Sequence, residues 1–130
     1  MVLTVSACKV SASNALYLER VIDGDTFIAS GTKIRLWGVN APEKNEPESF
    51  TSTKYLEVLL EEGTLTCDFL YKDRYQRSVM QCFSDGKDIA WDMVKMGMAR
   101  DYPKYSEGYY SKAEQEAKDM RAGIWSGAKI

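Results

Sequence analysis

Arg35 sits inside an apolar run, Ile34-Arg35-Leu36-Trp37, and Glu43 follows eight positions later, behind Asn40-Ala41-Pro42. A guanidinium carried on a strand is a rigid fork for a phosphate. A carboxylate where the chain leaves that strand is a candidate general base. Upstream, Asp23-Gly24-Asp25-Thr26 offers carboxylate oxygens of the kind hard cations take. Downstream, Asp73-Arg74-Tyr75-Gln76-Arg77 offers a second phosphate clamp in Arg77, with Tyr75 and Arg74 beside it. Each piece has a plain alternative. Asp-Gly is a favoured turn pair. Arg35 fits the solvated face of a strand whose other face carries Ile34 and Leu36. Asn-Ala-Pro is an ordinary strand exit, Glu43 an ordinary surface carboxylate, and 73–77 a charged hairpin tip. Together they make the set that phosphodiester hydrolysis needs. A metal ion polarises the phosphoryl oxygen, two arginines neutralise growing charge, and a carboxylate orients or deprotonates the water.

Composition narrows the chemistry further. The chain has 130 residues, enough for one domain with one modest core. Its net charge of -2 gives no global basic field, which leaves only a local basic cleft for a polyanion. No stretch is long and apolar enough to span a membrane. There is no histidine. Ser/His/Asp triads, Cys/His pairs, histidine bases and most zinc sites are thereby excluded. The three cysteines, Cys8, Cys67 and Cys82, form no C-x-x-C knuckle. Met1 to Ala12 is small and apolar, and Val5-Ser6-Ala7-Cys8 has the look of the end of a lipoprotein signal, without the basic start. We read residues 1–14 as an N-terminal extension or the remnant of an export signal, with a first strand as the alternative. A secreted or periplasmic protein is expected, with a lipoprotein anchor the weaker option.

The elements that must hold these residues follow from pattern. Strands are expected over Ala15–Ile22, Thr26–Ala29, Lys33–Val39, Thr64–Lys72 and Arg77–Phe83, with a hairpin tip at Asp73–Gln76. Three helices are expected. The first is Ser49–Glu62, with Leu56, Leu59 and Leu60 inside. The second is capped by Asp88, with Ile89, Met93 and Met96 inside. The third is Ser106–Ala122, with Tyr110, Ala113, Ala117 and Met120 on one stripe. The order β-β-β-α-β-β-α-α reads as an α+β, mainly β domain over residues 15–127, a five-stranded OB-fold barrel with three helices. A tip at 73–76 makes paired residues sum to 149, which sets Cys67 opposite Cys82. They form either a disulfide or two buried thiols.

Five ordered blocks, "VIDGDTF", "IRLWGVNAPE", "KDRYQR", "DGKDIAWDMVKMGMA" and "AEQEAKDMRAGIW", resemble the staphylococcal nuclease (thermonuclease) family. The resemblance implies an OB-fold barrel with three helices and calcium-dependent hydrolysis of DNA and RNA. A monomer is expected, acting with little sequence specificity and with single strands preferred. It places the metal aspartate at Asp25, the catalytic arginines at Arg35 and Arg77, the glutamate at Glu43 and a phosphate-contacting tyrosine at Tyr75. The neighbouring metal ligand, a backbone carbonyl, falls on Ala41. The family's second metal aspartate is Asn40 here, an amide oxygen without charge, so calcium is expected to be held weakly. Gln76 replaces a usual glycine in the hairpin tip. The alternative is a catalytically weak or inactive module of the same fold that binds nucleic acid or a protein.

Overall fold

The structure, a computed structural model, describes residues 14–127. Apart from Asn14, the proposed extension or export-signal remnant lies outside them. The strands are β1 (Leu18–Asp23), β2 (Thr26–Ala29), β3 (Thr32–Leu36), β4 (Val39–Asn40), β5 (Leu65–Lys72), β6 (Ser78–Ser84), β7 (Lys87–Asp88) and β8 (Arg100–Asp101). The helices are α1 (Ser49–Glu62), α2 (Ile89–Lys95), α3 (Pro103–Ser106) and α4 (Ser111–Asp119), followed by a 3-10 turn at Gly123–Trp125.

The main sheet runs β1-β2-β3-β6-β5, with β7 on β6, and β4 pairs with β8 separately. The neighbours are antiparallel except β3 and β6, which run parallel. The α+β, mainly β class is as expected, but the sheet does not close into the expected five-stranded barrel. Leu16 alone bridges to Leu65 before the chain turns to pair with β2, so among the described residues β1 and β5 share no continuous ladder. The expected strand 33–39 is also interrupted. Trp37 and Gly38 form a turn in which Gly38 takes φ +80, and an added Cβ there would lie 3.0 Å from the Tyr110 ring. That break lets Val39 and Asn40 leave the sheet and pair with Asp101 and Arg100.

Alternation puts Phe27, Ile34, Leu36 and Cys82 into the core, where α1 and α2 add Leu56, Leu60, Ile89 and Met93. Asp88 caps α2 as expected, its side chain accepting from the Ala90 and Trp91 N–H groups. Met96 follows the last turn and is exposed, whereas Ala90 and Val94 fill the inner face instead. The long helix expected over 106–122 is shortened to α4, Ser111–Asp119, and the short α3 ends at Ser106. Glu107 adopts φ 54 and Gly108 φ 87, which no right-handed helix can pass through. Met120, just beyond α4, is 78% exposed rather than on the buried stripe.

The β5–β6 hairpin shows where counting along the chain fails. Leu65↔Ser84 to Phe69↔Met80 keep the sum of 149, and Cys67 and Cys82 are disulfide-bonded with Cα atoms 4.0 Å apart. A bulge at Leu70 then shifts the register, so that Tyr71 faces Val79 and Lys72 faces Ser78. The tip gains a residue, and Gln76 takes the left-handed conformation with φ 66.

Candidate active site

The turn between β1 and β2 delivers Asp25. Its backbone carbonyl accepts from the Leu36 N–H at 2.9 Å, which ties the turn to the end of β3. The turn packs tightly against α1 and the strand exit. A Cβ on Gly24 would sit 1.9 Å from Ser52 Oγ and 2.7 Å from Ala41 Cβ. Glycine is therefore required here by close approach. Ser52 is itself fixed, donating to the Met98 carbonyl at 2.8 Å.

The Asp25 carboxylate is buried. Oδ1 accepts from Thr26 Oγ1 at 3.0 Å, and Oδ2 accepts from the Ala41 N–H at 2.9 Å. Burial pushes its pKa up to about 6; Arg35 opposes this and Asp23 reinforces it. Arg35 Nη1 lies 3.6 Å from Asp25 Oδ2. The same nitrogen donates to the carbonyls of Leu36 at 2.7 Å and Val39 at 2.8 Å. A guanidinium has five N–H donors, and this anchoring uses Nη1 alone, so that Nε and Nη2 meet no acceptor among the described residues.

Arg35 lies on β3 and Arg77 is the last residue of the tip before β6, which runs parallel beside β3, so the two arginines come from neighbouring parts of one sheet. Its Nε donates to Asp73 Oδ2 at 2.8 Å, and its guanidinium lies 5.4 Å from the centre of the Tyr75 ring. Asp73 is the anchor of the tip. Burial raises its carboxyl, but hydrogen bonds from the Arg77 backbone and side chain and from the Tyr75 N–H hold it below the ordinary range. Arg74 covers the Tyr75 ring at 5.2 Å. Glu43 lies exposed on the loop after Pro42, its backbone N–H donating to Glu46 Oε1 at 2.7 Å.

All eight residues singled out in the sequence, Asp25, Arg35, Asn40, Ala41, Glu43, Arg74, Tyr75 and Arg77, line one cleft of about 750 Å³. Its charges balance: Asp23, Asp25, Glu43 and Asp73 against Arg35, Arg74, Arg77 and Lys104. Among the described residues no three acidic or cysteine side chains converge as a metal cluster. Trp37, Tyr71, Tyr102, Lys104 and Tyr105 also line the cleft, beyond those eight. The run Tyr102-Pro103-Lys104-Tyr105, aromatic and basic together, was a readable signal. Tyr71 had none, because simple alternation assigns it to the opposite face.

Residues 33–127 match the family described as staphylococcal nuclease homologue. The chain is 36% identical over 117 residues to the succinoglycan biosynthesis protein ExoI of Rhizobium meliloti, covering 81% of this chain and 61% of that protein. It is 31% identical over 128 residues to an "uncharacterized endonuclease" of Haemophilus influenzae, covering 94% and 71%. A protein of the same name from Escherichia coli is 32% identical over 115 residues, covering 84% and 75%. A cleft that gathers three arginines, a buried aspartate and an exposed glutamate is thus found in a chain with named endonucleases among its relatives, and the chain belongs to the staphylococcal nuclease homologue family.

Proposed function

We propose that this protein hydrolyses phosphodiester bonds of DNA and RNA with little sequence preference, using calcium. One observation carries the reading: Arg35 on β3 and Arg77 at the entry to β6 share a cleft with Asp25 and Glu43. The anchored Arg35 offers its remaining N–H edge to a phosphate, and the Nη groups of Arg77 offer a second. Both are preorganised, so charge growing on the phosphoryl oxygens is met without reorganisation. The Glu43 carboxylate accepts a proton from the attacking water as its oxygen bonds to phosphorus and the bond to the leaving oxygen breaks.

The donor set suits a hard cation. Asp25, the Asn40 amide oxygen and the Ala41 carbonyl are all oxygen ligands, and each Asp25 oxygen makes one hydrogen bond and keeps a lone pair. A calcium ion bound there would supply polarisation of the phosphoryl oxygen. With one carboxylate in the set, binding is weak. The Cys67–Cys82 bond supports an oxidising location, secreted or periplasmic.

A second reading, a module that binds nucleic acid or a protein and cuts slowly or not at all, is favoured by Asn40 and by the balanced charge of the cleft. Incubation with single-stranded DNA, in calcium or in chelator, separates the two. Fragments in calcium alone are expected; intact DNA under both conditions overturns the enzyme.

A further inference from the structure

The bulge at Leu70 has a consequence for Tyr71. Had the register of Cys67↔Cys82 continued, Tyr71 would oppose Ser78 and share the face of Met80 and Cys82, which turns to the core. The unpaired Leu70 moves it opposite Val79, whose parallel neighbour on β3 is Arg35. Arg35, Val79 and Tyr71 therefore stand side by side across three strands, and all three line the cleft. Bulges next to active sites commonly re-aim one side chain in this way. Tyr71 is 39% exposed, so the ring presents surface. Burial is the main cause that raises its hydroxyl pKa, with Arg35 opposing, and Tyr105 and Asp73 line the same cleft. Tyr105, 44% exposed, stands edge-on to Tyr102 at 5.0 Å.

We infer that Tyr71 is a specificity-determining residue that stacks an unpaired nucleobase flanking the phosphate held by Arg35 and Arg77. The inference rests on the nuclease reading above and deepens it. An aromatic face beside a phosphate clamp suits a single strand, whose bases are splayed and free to stack. Every base has a π-face, so such a contact selects strandedness without selecting sequence. A duplex keeps its bases paired and gains nothing from the ring.

The test compares Tyr71→Leu and Tyr71→Phe with the natural protein, first by binding in chelator. The probes are a short labelled single-stranded thymidine oligonucleotide and an abasic strand with the same phosphates. Tyr71→Leu should weaken binding of the thymidine strand roughly 10-fold and leave the abasic strand unaffected, while Tyr71→Phe binds like the natural chain. In calcium, Tyr71→Leu should raise KM for single-stranded DNA by a similar factor with kcat nearly unchanged. Equal binding by Tyr71→Leu and the natural chain overturns the inference, as does equal weakening in Tyr71→Phe, which would make the hydroxyl the contact. If Tyr71→Leu fails to fold, Tyr71→Val, β-branched and suited to a strand, takes its place. A natural chain that never cleaves, combined with the base-dependent loss, sinks the nuclease reading alone. Cleavage with no Tyr71 effect sinks this inference alone.

Discussion

Reducing the Cys67–Cys82 bond should weaken the fold while sparing the cleft. The two cysteines are 15 residues apart in sequence. In the chain-entropy account, closing a loop of that size removes about 10 cal/mol/K from the unfolded chain, or about 3 kcal/mol at room temperature. The reduced protein should therefore lose about 3 kcal/mol, which lowers a urea midpoint by roughly 1.5 M and the melting temperature by roughly 10 °C. Reduction suits the purpose better than substitution, since Cys82 is fully buried and truncation would add a cavity cost. The bond lies on the core face of β6, whereas Val79, three residues away, faces the cleft. Turnover well below the melting temperature should therefore stay close to that of the oxidised protein. Coincident unfolding curves for oxidised and reduced protein would refute the stability reasoning. A large loss of turnover with the fold intact would refute the separation of the two faces.

Three other outcomes follow from the site. Asp25 is lifted by burial to about 6, so in chelator its protonated form is the one the fold favours. Its contribution is complete below about pH 4 and is lost as pH rises through 6, so unfolding of the natural chain and Asp25→Asn should diverge by on the order of 3 kcal/mol between those limits and pH 7, in favour of Asn; a constant difference rejects this. Gly24→Ala forces a Cβ against Ser52 and Ala41, and should cost roughly 1–3 kcal/mol in a chemical unfolding titration; unchanged stability would mean the turn yields freely. Arg77→Ala should lower turnover by on the order of 10²-fold or more, whereas Lys112→Ala, exposed on α4, should do little, both read in initial-rate assays.

Much of the site was legible in the sequence, because its parts sit at element ends that local chemistry marks. Asp-Gly, Asn-Ala-Pro and the charged tip at 73–77 announce turns, and turns delivered Asp25, Glu43 and Arg77 to one cleft. The pairing of Cys67 with Cys82, though not the choice between a disulfide and two thiols, followed from hairpin arithmetic because the strands pair regularly up to Phe69. What could not be read depends on backbone departures without a residue signature. Nothing about Leu70 marks it as the extra residue of a bulge, so Tyr71 counts to the wrong face. Glu107 is a good helix former that here caps α3 in the left-handed region, and so the helix over 106–122 reads as continuous. Closure of the sheet turned on how many residues before β1 reach β5, and among those described Leu16 alone does.

The most direct test is a calcium titration of single-stranded DNA cleavage by the natural chain and by Asn40→Asp. Position 40 is exposed on the two-residue strand β4 and lines the cleft, so the substitution adds a charge beside Asp25 without entering the core. Calcium affinity rises with the number of charged oxygen ligands. Cleavage by the natural chain should require high calcium, and Asn40→Asp should reach half-maximal cleavage at a lower concentration. An unchanged calcium requirement would remove Asn40 from the metal site, and no cleavage by either protein at any calcium concentration would contradict the nuclease itself.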